Sequence, residues 1–67
     1  MSIRVEGKDE YKWNYGHTPR GQGFWSFKMG VNGETKTFRG NYAHAQKRAL
    51  AYAHKHHPNI YYIKVLL

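Results

Sequence analysis

Seven side chains able to bind an anion or share hydrogen bonds recur at alternate positions: Lys12 and Asn14, Ser26 and Lys28, and Thr35, Thr37 and Arg39. In an extended chain residues i and i+2 point to the same side. Each run therefore gathers its polar groups on one face. Arg20 stands apart, inside Gly16-His17-Thr18-Pro19-Arg20-Gly21-Gln22-Gly23, whose glycines and proline mark a loop. The chemistry such a set can do is contact with a polyanion. Lys and Arg meet phosphates, while Arg, Asn, Ser and Thr can also reach base edges. The loop is not a phosphate-cradling P-loop, because the G-x-x-x-x-G-K-[ST] pattern is absent.

Other constellations point to less. His54, His56 and His57 cluster near Pro58, but no i, i+4 histidine pair with a carboxylate or Cys completes a metal set. The acids are Glu6, Asp9, Glu10 and Glu34, and no two are spaced as a working pair. Ile60-Tyr61-Tyr62-Ile63 resembles part of the GIY-YIG nuclease signature, without the second tyrosine motif and catalytic Glu which that family needs. The expectation is a non-enzymatic chain with no catalytic residue, metal or cofactor. Among the aromatics, Tyr15 and Phe24 lie nearest the loop and are the candidates for stacking on bases.

The elements that would hold these residues follow from the pattern. Asn32-Gly33 between two β-rich runs predicts a two-residue hairpin turn. That turn sets Val31 opposite Glu34, Met29 opposite Lys36, Phe27 opposite Phe38, Lys28 opposite Thr37 and Ser26 opposite Arg39. One face then carries Trp25, Phe27, Met29, Val31 and Phe38. The other carries Ser26, Lys28, Thr35, Thr37 and Arg39. Glu10 to Tyr15 alternates with period two and reads as a strand with Tyr11, Trp13 and Tyr15 inward. Ile3 to Val5 is a candidate short extra strand.

Asn41 is a good N-cap for a helix from Tyr42 to about Lys55. Its stripe of Tyr42, Ala45, Ala49, Tyr52, Ala53 and His56 faces inward. Pro58 stops it. Asn59 to Leu67 is a last strand, with Tyr61, Ile63, Val65 and Leu67 toward the helix. Ile60, Tyr62 and Leu66, around Lys64, would face the open side. Strands apolar on both faces are usually buried on both. Ile60, Tyr62, Lys64 and Leu66 are thus a candidate homodimer or protein-partner surface. A central strand covered by the N-terminus is the alternative. The order β-β-β-α-β predicts an α+β fold, a mainly antiparallel sheet of three to four strands with one helix on one face.

Length and charge agree with this scale. At 67 residues the chain is read as one small basic domain, 1–67, with a thin core. Cysteine is absent, which removes disulfides and thiolate chemistry. Eleven Lys and Arg face four Asp and Glu, a net charge of +7 that favours a polyanionic partner. No apolar run approaches the ~20 residues of a membrane span. No hydrophobic leader follows Met1, and the expected location is cytoplasmic, or nucleoid or nuclear with nucleic acid.

Residues 10–53 resemble two groups of nucleic-acid-binding modules. Gly21-Gln22-Gly23-Phe24-Trp25-Ser26-Phe27, Val31-Asn32-Gly33, Thr37-Phe38-Arg39-Gly40 and the Ala-rich 45–53 are similar to the plant ethylene-response-factor domain and the arm-binding domain of tyrosine recombinases. Tyr11, Gly16-His17, Phe24, Val31-Asn32-Gly33 and the Ala45, Ala49, Ala53 spacing resemble the double-stranded-RNA-binding domain. That domain's first helix and its Lys-Lys pair are not read here. The first resemblance implies that Arg20, Lys28 and Arg39 face DNA. The expected partner is therefore nucleic acid, DNA ahead of RNA, through a basic sheet face and the Gly-rich loop. The competing class is a small inhibitor or adaptor gripping a host protein or ribonucleoprotein, a format that suits phage-encoded proteins.

Overall fold

The computed structural model describes residues 3–31 and 33–66; expectations for Met1, Ser2, Asn32 and Leu67 lie outside the described residues. The chain runs β1 (Arg4–Glu6), α1 (Lys8–Tyr15), β2 (Gln22–Met29), β3 (Thr35–Asn41), α2 (Tyr42–His56) and β4 (Tyr62–Val65). It is an α+β fold with two helices and a four-stranded sheet in the order β1-β4-β2-β3. The sheet is mixed. β2 is antiparallel to both β3 and β4, and β1 is parallel to β4. No helix of the described residues is long and apolar enough to cross a membrane.

The core lies between α2 and one sheet face. Trp25, Phe27 and Met29 from β2 and Ile63 and Val65 from β4 pack on Tyr42, Ala45, Ala49 and Ala53. The three alanines are fully buried. Their small side chains bring the helix axis close to the sheet. Asn41 caps α2 as expected, its Oδ1 accepting from the Ala43 N–H at 2.9 Å.

The hairpin differs from the two-residue turn. The Met29 N–H donates to the Glu34 carbonyl at 2.9 Å, so Met29 and Glu34 form the last pair of the hairpin, in place of Val31 and Glu34. Pairing moves by two: Phe27 lies opposite Lys36, Trp25 opposite Phe38, Ser26 opposite Thr37 and Lys28 opposite Thr35. A shift of two keeps the side chains of the paired strands on their expected faces. Phe27 and Phe38 still meet diagonally, with ring centres 6.2 Å apart. The physical reason is steric. Gly30 takes φ 76 and ends the strand, which leaves Val31 exposed rather than on the core face. A Cβ at Gly33 would lie 1.6 Å from the Met29 carbonyl oxygen, so the loop closes only on glycine.

Residues 10–15 are helix, not strand. Gly7 and Gly16, at φ 90 and 79, frame α1, and Asp9 and Glu10 occupy its first turn, where acids suit the helix dipole. Tyr11 and Tyr15 stack at i, i+4 with centroids 4.5 Å apart. Of the three aromatics expected inside, only Tyr11 reaches the core; Trp13 is 88% exposed. A first helix, the feature read as missing from the RNA-binding comparison, is thus present, after a strand. The candidate strand at the N-terminus exists as β1. It takes the outer side of β4, which makes β4 a central strand.

The Tyr42 hydroxyl is buried and has no hydrogen-bond partner among the described residues, and burial pushes its pKa up to about 12. Tyr42→Phe should therefore leave stability unchanged or raise it by up to about 1 kcal/mol. Ala49→Leu, by contrast, should cost about 1–3 kcal/mol by lifting α2 off the sheet. Urea denaturation of the two variants checks both signs.

Candidate nucleic-acid interface

α2 packs on one face of the sheet, and α1 touches the other where Glu10 meets Lys64. Across that other, open face, the pairings line up Glu6, Lys64, Lys28 and Thr35 in one row. The Leu66 N–H donates to the Ser26 carbonyl, so the next row is Leu66, Ser26 and Thr37. Phe24 pairs with Arg39, and Gln22 with Asn41. Ser26 and Thr37 hydroxyls share a 2.8 Å hydrogen bond. Phe24 is 75% exposed in the middle of these polar groups.

Lys28 and Lys64 are direct cross-strand neighbours, a like-charge pairing that disfavours the sheet. Glu10 relieves part of it, its Oε1 3.1 Å from the Lys64 Nζ. Arg4 pairs with Glu6 at 3.3 Å. Among the described residues Lys28 and Arg39 have no carboxylate partner.

Ser26, Lys28, Thr35, Thr37 and Arg39 thus share the open face as expected. Lys12 and Asn14 do not; they lie on α1. The Asn14 side-chain amide donates to the Glu10 carbonyl at 2.9 Å, and Lys12 borders a cavity with Asp9, Trp13 and Gly16. Alternation over six residues could not separate a strand from a short helix whose end is set by two glycines. Arg20 is exposed. The next residue is pinned, because the Gly21 carbonyl accepts from both the Trp25 indole N–H at 3.2 Å and the Tyr42 N–H at 2.9 Å. That ties the Arg20 loop to the end of β2 where Gln22 and Phe24 lie.

The last strand is corrected in one respect. β4 is hydrogen-bonded on both sides, to β1 and β2, so it offers no free edge for two-fold pairing. Ile60 packs against the core. Tyr62, Lys64 and Leu66 are half-buried on the open face. The sheet edges are β1 and β3. At β3 the Arg48 guanidinium donates to the Arg39 carbonyl at 3.0 Å, which occupies part of that edge.

A polar cluster at the other end was not foreseen. Glu34, just before β3, accepts from the Tyr52 hydroxyl and from the His57 Nε2–H, the latter at 3.0 Å. The Lys36 Nζ sits 5.1 Å from the Tyr52 ring centre, and His56 packs on the same ring with centroids 4.5 Å apart. Its members are 18 and 23 residues apart, beyond any local pattern. His57, beside Pro58, therefore ties the end of α2 to the hairpin. Among the described residues no group of three or more His, Asp or Glu is placed to hold a metal.

No protein-family model, curated protein or solved structure matches the chain. The reading of the site rests on its own geometry.

The Tyr52 and His57 hydrogen bonds, helped by Lys36, hold the Glu34 carboxyl below its ordinary range, and the bond to Glu34 raises the Tyr52 hydroxyl. A depressed carboxylate contributes stability that is complete above its unfolded pKa and is lost as pH falls through the folded value. Wild type should therefore lose more thermal stability than Glu34→Gln between about pH 5.5 and about pH 2.5. Parallel melting curves for the two proteins would remove Glu34 from the acid response.

Proposed function

We propose that the chain is a non-enzymatic nucleic-acid-binding module that lays its open sheet face, centred on β2 and β3, on duplex DNA. The observation that carries this is the exposed Phe24 beside Lys28 and Arg39, cations without carboxylate partners among the described residues, on the sheet face opposite α2. A phosphate backbone supplies the negative charge that Lys28 and Arg39 lack. It also relieves the repulsion between the two neighbouring lysines.

Duplex DNA is favoured over duplex RNA by shape. β4 pairs with β2 only from Phe27 to Met29, so Gln22–Phe24 and Arg39–Asn41 project as a ribbon two strands wide. The major groove of B-DNA, ~12 Å wide, admits such a ribbon. The major groove of A-form RNA is too deep and narrow for side chains to read. Arg39 suits a guanine edge, Gln22 an adenine edge and Phe24 a thymine methyl group. Arg20 would hold the backbone beside the ribbon.

A protein-docking reading has its own observation. Trp13 and Tyr15 are 88% and 52% exposed on α1, and Trp13 lines the cavity bordered by Lys12 and Gly16. An inhibitor or adaptor would use this helix rather than β4.

The test is fluorescence anisotropy with labelled duplex DNA, duplex RNA and single strands across a salt series. About five neutralised phosphates give a log–log slope near −4 to −5. Lys28→Glu or Arg39→Glu should weaken binding about tenfold or more, and Lys55→Glu, on α2, by no more than about twofold. Phe24→Ala should lower duplex affinity without changing the salt slope, because it removes an apolar contact and no charge. Equal losses at Lys28, Arg39 and Lys55 would reduce the interaction to unspecific charge attraction. No binding to any of the polymers at low salt would leave the protein-docking reading.

A further inference from the structure

α2 turns one stripe to the sheet and the opposite stripe to solvent. Tyr42, Ala45, Ala49 and Ala53 fill the inner side. At 3.6 residues per turn, His44, Lys47, Arg48, Ala51 and Lys55 fall on the outer side, and all five are exposed. The helix contains no Asp or Glu in its 15 residues. No ion pair of the described residues reaches this stripe. His44, Lys47, Arg48 and Ala51 border one shallow depression. Ala51 has nothing beyond Cβ to hold a chain of phosphates away. The Arg48 guanidinium gives one N–H to the Arg39 carbonyl, which positions its charge and leaves other donors free.

The placement of this stripe matters more than its charge. α2 packs on the sheet face opposite the open one, so the two cationic surfaces point in opposite directions. The body between them is small, with extents of 32, 21 and 19 Å. One rigid, straight duplex cannot touch both sides at once, because it does not bend around so small a body. Two separate segments can.

We propose that the outer stripe of α2 is a second polyanion site, and that one molecule bridges two DNA segments back to back. The inference rests on the reading of the open face as the first site. Lys28 and Arg39 hold one segment; Lys47 and Lys55 hold the other through phosphates alone, since the stripe offers few groups for reading bases, and Arg48 lies at the β3 edge between them. The second contact is therefore independent of sequence and strongly salt-dependent.

The experiment uses bead-bound duplex DNA, the protein, and a second labelled duplex free in solution. Capture of the labelled duplex reports bridging, and anisotropy on a single duplex reports ordinary binding. Two double variants change the net charge equally: Lys47→Glu with Lys55→Gln on α2, and Lys28→Glu with Arg39→Gln on the sheet. Circular dichroism confirms their fold, and Lys47→Gln with Lys55→Gln serves as a milder helix variant. Wild type should capture the second duplex. The helix variant should bind one duplex within about threefold of wild type yet lose capture by about tenfold or more, and the milder variant should follow in the same direction. The sheet variant should lose both. Capture that survives the helix variants, as it would if a dimer joined two sheet faces, overturns the proposal. So does a wild type that binds one duplex and captures no second. A wild type that binds no duplex at all overturns the open-face reading, and this inference falls with it.

Discussion

The buried Trp25 ring and its indole N–H hold the described elements in register. The N–H lies 3.2 Å from both the Gly21 and the Gly40 carbonyls. The ring meets Tyr11 of α1 at 5.6 Å and Tyr42 of α2 at 4.9 Å. One side chain thereby joins the first helix, the loop before β2, the end of β3 and the start of the second helix. A buried indole N–H that finds no acceptor is costly, and this one finds two. In a chain with a thin core, that concentration of contacts stands in for the disulfides it lacks. It also places the face: with Trp25 inward, Phe24 and Ser26 must point outward.

Three of the four acids serve the protein's own structure more than its outer surface. Glu6 meets Arg4, Glu10 meets Lys64 and Glu34 meets His57. Of the eleven Lys and Arg, only Arg4 and Lys64 meet a carboxylate, which leaves nine without one among the described residues. These surface pairs add little stability individually. Their consequence is electrostatic. Negative charge is drawn to the N-terminal segment and to the α2–hairpin junction, and Lys28, Arg39 and the α2 stripe are left positive. A field arranged this way steers a polyanion toward both faces.

The sheet's two edges are guarded without a dimer. β1 is only three residues long and carries charge at both ends. β3 has Arg48 on the Arg39 carbonyl. Short charged edges and an occupied acceptor discourage strand addition. β4 is interior to the sheet and has no free edge, while Tyr62 and Leu66 remain half-buried on the open face.

The sequence by itself determined α2, its Asn41 cap, its alanine stripe and its stop before Pro58, because each is a local rule acting within one or two turns. It also determined which face of β2 and β3 is polar, since alternation survives a register shift of two. Tertiary structure decided the rest. Residues 10–15 fit a strand and a helix equally by pattern, and the choice fell to glycines at either end and to the single place Trp25 offers Tyr11. Gly33 set the hairpin loop by its close approach to Met29, a contact visible only in three dimensions. β4 became central because β1 returned to its outer side, and strand order depends on pairings across some 60 residues that no local signal encodes. The Glu34, Tyr52 and His57 cluster has the same origin: its members are distant in the chain, and only the packing of α2 against the hairpin brings their polar atoms within hydrogen-bond reach.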